Sequence, residues 1–183
     1  MTYFVLIAVV VSGVAAWTDW RTGLIPNWLT FGAMLLGVVG HFGVGVWLAG
    51  FRAGAVEAGV ALAGLLFCAL APSLMFVKGA MGGGDVKLFA AIGALCQPLL
   101  GIEAEMYGLV VAAVIAPAQL AYRGELLRVL SNSFALIANP LRAAANRRAL
   151  PPEMMSWFRL GPAIFLGTIL LIVVHGYELI AGS

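Results

Sequence analysis

Residues 28–48 read WLTFGAMLLGVVGHFGVGVWL, a stretch with no Lys, Arg, Asp or Glu. One helical crossing of a bilayer core takes roughly 20 apolar residues, so this segment alone is long enough to span. On either side of it lie five more apolar blocks, at about 2–18, 55–77, 86–101, 105–121 and 160–181. Backbone left unpaired in lipid is costly, and strands of a membrane barrel would alternate polar with apolar residues, which these blocks do not do. The expected fold is an all-α membrane protein, a six-transmembrane-helix bundle forming a single domain over residues 1–183. The first block has no Lys or Arg ahead of its apolar run. Despite the small residues Val14, Ala15 and Ala16, it therefore reads as a mature span rather than a secretory leader.

The composition excludes the soluble alternatives. Of 183 residues, 63% are apolar and 10% charged, where an ordinary soluble domain has about 45–50% and 25%. No length remains for a separate soluble domain. A net charge of +2 is too small to suggest nucleic-acid binding. Cys68 and Cys96 each lie inside an apolar block with no CxxC pairing, so they read as packing residues rather than a zinc site or disulfide framework. Gly54, Ala58, Ala61 and Gly64 suit close contact between helices.

If the connections alternate sides, one side carries Arg21, Lys78, Lys87, Arg123, Arg128, Arg142, Arg147, Arg148 and Arg159, and the other only Arg52. The positive-inside rule then puts the first, third and fifth connections in the cytoplasm and both termini outside. Trp17, Trp20, Trp28, Trp47 and Trp157 fall mostly near span ends, as an interfacial belt would place them. The basic connection at about 122–159 has Leu126, Leu130, Phe134 and Ile137 at helical spacing, which suggests an amphipathic helix on the cytoplasmic membrane surface. Two roles stand open for it: a topogenic loop, or a contact to substrate or lipid headgroups.

The chain has only two aspartates, Asp19 and Asp85. Both fall in short polar segments between spans, 18–27 and 79–87, on the side assigned to the cytoplasm. Ionisable groups at the margin of a helical bundle are functional candidates by default. Two carboxylates that approach each other tend to hold one proton between them. The ionised member can then take a proton from water while the other polarises a carbonyl, which is metal-free hydrolysis of a peptide bond. Each aspartate also has a structural reading: Asp85 as the N-cap of a helix beginning at Val86, Asp19 as an interfacial partner of Arg21. Helix dipoles favour an anion at Asp85 and disfavour one at Asp19 after a helix C-terminus, so Asp85 is expected as the base and Asp19 as the proton holder.

The glycines before Asp85 do not form a phosphate loop, because Asp85 stands where that motif needs Lys. Three consecutive glycines, Gly82, Gly83 and Gly84, instead let backbone run close to another chain or stay non-helical beside a site. Lys87 is open to two readings, stabilising the nearby anion or extending to lipid headgroups. Asn27 is expected to cap the second span. His41 and His175 have no neighbouring ligands and read as packing or interfacial residues, so no metal or cofactor is expected.

The segment Gly82-Gly83-Gly84-Asp85-Val86-Lys87-Leu88 resembles the GxGD motif of the type IV prepilin peptidases. Asp19 with Ile25-Pro26-Asn27 is similar to that family's first-aspartate segment, and Gly161-Pro162-Ala163-Ile164-Phe165-Leu166-Gly167 to its last helix. The resemblance implies an aspartic endopeptidase of the bacterial inner membrane. It would remove the short basic leader of prepilins or pseudopilins on the cytoplasmic side, cutting after a glycine that precedes a hydrophobic helix. By that resemblance the catalytic aspartates are Asp19 and Asp85, with Gly82 and Gly84 shaping the substrate loop. The chain lacks the cysteine-bearing insertion of the long bifunctional members, so methyltransferase activity is not expected; it looks most like the short peptidases of tight-adherence (Flp) pili. The implied partners are a prepilin leader with its hydrophobic helix, and membrane lipid. Two other classes compete: a small proton- or cation-coupled transport component, which would want carboxylates nearer the midplane, and a non-enzymatic pilus assembly factor that docks through the basic connection.

Overall fold

The computed structural model describes residues 2–122 and 159–181, and these are all-helical apart from short connections. The helices are α1 (Thr2–Thr22), α2 (Asn27–Ala49), α3 (Phe51–Val77), α4 (Gly83–Tyr122) and α5 (Gly161–Ala181). Four are long and apolar enough to cross a membrane, over Tyr3–Thr22, Asn27–Ala49, Phe51–Val77 and Gly83–Ala118, and Gly161–Gly176 is a shorter apolar helix. The chain forms two compact units, residues 1–112 with 159–183, and residues 113–158. Of the second, only residues 113–122, the end of α4, are described. The surface helix expected within the basic connection lies outside the described residues.

The first unit is built around the start of α4. Leu88, Phe89, Ala90, Ala91, Ile92, Ala94, Leu95 and Cys96 are all nearly or fully buried, so this arm is apolar on every side because protein surrounds it. α3 meets it at Gly64 and Cys68, which lie against Gly93, while Gly54 near the other end of α3 packs on Phe42 and Val46 of α2. At the closest point, a Cβ on Gly64 would lie 2.2 Å from the Gly93 carbonyl oxygen. Without a hydrophobic effect between helices in lipid, such close backbone approach is what dispersion and packing have to work with. α5 packs on α1, where the hydroxyls of Ser12 and Thr168 share a buried hydrogen bond of 2.8 Å.

Two boundaries differ from the sequence expectation. α1 does not stop near residue 18 but runs to Thr22. The polar residues there remain helical because Thr18 and Thr22 return their hydroxyls to the carbonyls of Val14 and Thr18, and Gly23, at φ +70°, ends the helix with its N–H on the Asp19 carbonyl. Asp19 therefore belongs to the last turn of α1, not to a loop.

The second difference is in α4, which is interrupted at Gln97 (φ 63°, ψ 174°) rather than between residues 101 and 105. A Cβ on Gly101 would come within 2.9 Å of the Gly93 Cα, so the chain folds back sharply and the arms 83–96 and 98–122 are separate helices. A carbonyl freed at the break has a partner, His41 Nε2 donating to the Leu95 carbonyl at 2.9 Å, and the Gln97 side chain is held by its Nε2 donating to Glu57 at 2.7 Å. Non-helical backbone at membrane depth is tolerated where protein buries and satisfies it.

Candidate active site

The two polar connections named from the sequence meet at one end of the first unit. α3 closes in a Schellman turn, with Gly79 at φ +72° and the Ala80 N–H donating to the Met75 carbonyl at 2.9 Å. The chain then reaches Gly82, whose carbonyl accepts the N–H groups of Asp85 and Val86. Gly82 is thus the N-cap of α4, and Asp85 is its third residue rather than its cap. The Asp85 carboxylate folds back onto the Gly82 backbone, which is the acidic half of a capping box. Half-buried Asp85 also lies within electrostatic reach of Asp19.

Asp19 is 6% exposed. Its Oδ2 accepts the backbone N–H of Gly161, the first residue of α5, at 3.0 Å. Arg21, the partner considered for it, lies instead over the Trp17 ring, 4.4 Å from the centroid. The order of roles expected for the aspartates assumed that Asp19 faced only a helix C-terminus. The amide at the start of α5 removes that premise, since both carboxylates now sit at helix N-termini.

The remaining motif residues connect the two loops. Gly84 faces Ile25 so closely that a Cβ would meet the Ile25 Cβ at 3.3 Å, and Gly83 lies against Phe76. Gly82 is exposed. Lys87 Nζ donates to Asn27 Oδ1 at 2.9 Å and stands 5.3 Å from the Phe31 ring centroid. Asn27 is accordingly not a cap; α2 starts after Pro26 with no side-chain cap, and the Asn27 amide is spent on Lys87.

A family model described as the type IV leader peptidase family matches residues 6–118. The chain belongs to the type IV leader peptidase family. Neither the curated proteins nor the solved structures compared with it gave a match. The matched residues of this leader peptidase family member include both aspartates, the glycine run and Lys87, and stop short of α5.

Gly161 and Arg159 were not singled out as site residues by sequence reasoning. Arg159 donates to the carbonyl of Trp20, next to Asp19. A glycine followed by Pro162 marks a helix start, but nothing in the sequence says which acceptor its amide will meet. The histidines take structural partners: buried His41 stacks on Phe4, and His175 pairs with Glu103 at 2.6 Å. Cys68 and Cys96 are buried and free, as packing residues. Among the described residues no group of three or more His, Cys, Asp or Glu gathers as a metal site would.

Proposed function

We propose that this protein is a prepilin peptidase, an aspartic endopeptidase that removes the leader of type IV prepilins or pseudopilins at the cytoplasmic face of the bacterial inner membrane. The observation that carries the reading is the close approach of Gly84 to Ile25, which brings the connection after Asp19 against the turn that carries Asp85, in a member of the leader peptidase family. One carboxylate takes a proton from water as the oxygen attacks the scissile carbonyl, and the other, protonated, donates to that carbonyl oxygen; the first then passes its proton to the leaving amine as the C–N bond breaks, while the second regains one from a hydroxyl of the tetrahedral intermediate. The dyad is treated as one coupled unit without assigning the roles. The extended leader approaches at Gly82, which is exposed in the turn that carries Asp85.

With α1, α2, α3 and α5 as crossings and the two arms of α4 as a hairpin entered and left from the cytoplasmic side, both termini lie outside, the arrangement that the basic residues favour. The arm 83–96 is only about 21 Å long, short of the roughly 30 Å core, so its far end at Gln97 lies within the membrane and is sealed there by Glu57 and His41. A transport role gains nothing from this arrangement, because the aspartates lie at helix ends rather than at a midplane break.

The test is cleavage of a prepilin-like substrate by the purified protein in vesicles with a chelator present, read by mass of the released leader. The wild type should cut at the glycine before the hydrophobic segment, and Asp19→Asn and Asp85→Asn should each cut nothing while inserting normally. Full cleavage by either variant removes that residue from the chemistry, and no cleavage by the folded wild type removes the assignment.

A further inference from the structure

Asp19 is held in place from the far end of the chain. The N–H of Gly161 is one of the donors that the first turn of α5 leaves without a helical partner, and it lands on Asp19 Oδ2 at 3.0 Å in a buried setting. The contact exists because residue 161 has no side chain: a Cβ there would lie 2.8 Å from Oδ2, 2.9 Å from the Asp19 Cβ and 3.3 Å from the Ala16 Cα. Arg159 adds a second tie to the same turn of α1 through the Trp20 carbonyl. With one lone pair of Oδ2 taken by the Gly161 N–H, Oδ1 is the less engaged oxygen and the one favoured to carry a proton or meet water.

We propose that Gly161 is a positioning residue for peptide hydrolysis, its main-chain N–H fixing Asp19 Oδ2 so that Oδ1 faces the water shared with Asp85. This rests on the peptidase reading above. It extends the working site to α5, beyond the residues that the family model matches.

Two changes at position 161 separate the parts of the contact. Gly161→Ala keeps the N–H but drives a methyl into the carboxylate; replacing the residue with glycolic acid, an amide-to-ester exchange, removes the donor and adds no bulk. Gly167→Ala is the comparator for a purely structural glycine of α5, since its Cβ would lie 2.3 Å from the Gly108 nitrogen and far from Asp19 in sequence.

Both changes at 161 should lower kcat for the prepilin-like substrate by roughly tenfold to a hundredfold, as a displacement of up to about 1 Å does, with KM within about twofold; the ester leaves the packing intact, while Gly161→Ala also lowers Tm because its methyl presses on Asp19 and Ala16. Gly167→Ala should instead lower Tm. A readout independent of activity is available because Asp19 and Asp85 are the only aspartates: in 13C-Asp-labelled Asp85→Asn protein, the infrared carboxyl band reports Asp19 alone, and the ester should move it. In the ester variant, retained kcat, an unmoved band, or loss of kcat only through unfolding would each overturn the positioning role while wild-type cleavage keeps the peptidase reading intact. A folded wild type that cuts nothing fails the peptidase reading itself, and the band then still tells whether the contact exists.

Discussion

Ile25 rests on the bare Cα of Gly84, and by that contact the connection after Asp19 is pressed against the turn that carries Asp85; a Cβ at position 84 would meet the Ile25 Cβ at 3.3 Å. A methyl there forces a shift of a few tenths of an ångström, whereas a branched side chain drives the two connections apart. Gly84→Ala should therefore reduce kcat several-fold and Gly84→Val by on the order of 10²-fold, with both proteins still inserting. Ile25→Ala in the Gly84→Ala background should recover part of the loss by making room. Kinetics on the four proteins check this; equal activity of Gly84→Val and wild type would mean that the contact does not set the distance between the aspartates.

Lys87 and Asn27 tie the second turn of α4 to the first turn of α2 through a 2.9 Å hydrogen bond. A hydrogen bond to a charged group contributes about 1.5–3 kcal/mol when well sheltered, and less here because the pair is solvent-exposed. Lys87→Met and Asn27→Ala should each destabilise by about 0.5–1 kcal/mol, and the double variant should cost less than the sum. A double-mutant cycle by denaturant titration reads the coupling. A cycle showing strict additivity would mean that the two side chains act apart.

The helical membrane class and the two polar connections that meet at one end of the bundle were legible in the sequence. Long uncharged blocks can only be helices in lipid, and two aspartates in a chain with so few charges stand out. The boundaries were less legible, for local reasons. Asp19, Trp20, Arg21 and Thr22 read as loop because they are polar, yet threonine hydroxyls bonding back along the helix and the glycine at 23 carry α1 through them. The break in α4 did have a signal: Pro98 disfavours the helical conformation for Gln97, and the observed ψ of 174° obeys it. The partners of Lys87 and Asp19 lie 60 and 142 residues away, and no periodicity or spacing encodes contacts of that kind.

The break at Gln97 should be sensitive to its side chain more than to its backbone. Gln97 is the one non-glycine residue with positive φ among those described, so Gln97→Gly relieves strain but removes the donor to Glu57 and the neighbour of His41, which stands 3.4 Å away. Leaving a part-buried carboxylate without its donor costs about 1–3 kcal/mol, more than a glycine gains at this φ. Gln97→Gly should thus be net destabilising, and the double variant Gln97→Gly with Glu57→Ala should be more stable than Gln97→Gly alone. Thermal unfolding in detergent measures both, and a Gln97→Gly protein more stable than wild type would show that backbone strain outweighs the hydrogen bonds.

Glycines of this bundle should divide by what a methyl would meet. At Gly93 the nearest atoms are the Gly64 carbonyl oxygen at 2.3 Å, its carbon at 2.7 Å and the Cys68 Cβ at 2.8 Å. The first two are backbone, and a Cβ at Gly101 would press on Gly93 from the returning arm. Gly93→Ala then has to move α3 or open the hairpin, and overpacking of that kind costs about 1–3 kcal/mol or more. At Gly59, inside α3, nothing lies within 4 Å, so Gly59→Ala meets no obstacle and gains roughly 0.5–1 kcal/mol from helix propensity. The same substitution should therefore have opposite signs at the two positions, with Gly93→Ala accumulating poorly and melting early and Gly59→Ala melting later than wild type. Because neither residue lies near the aspartates in sequence, the specific activity of whatever folded Gly93→Ala protein remains separates packing from chemistry. Equal melting temperatures for the two variants would mean that α3 and the first arm of α4 are not in backbone contact.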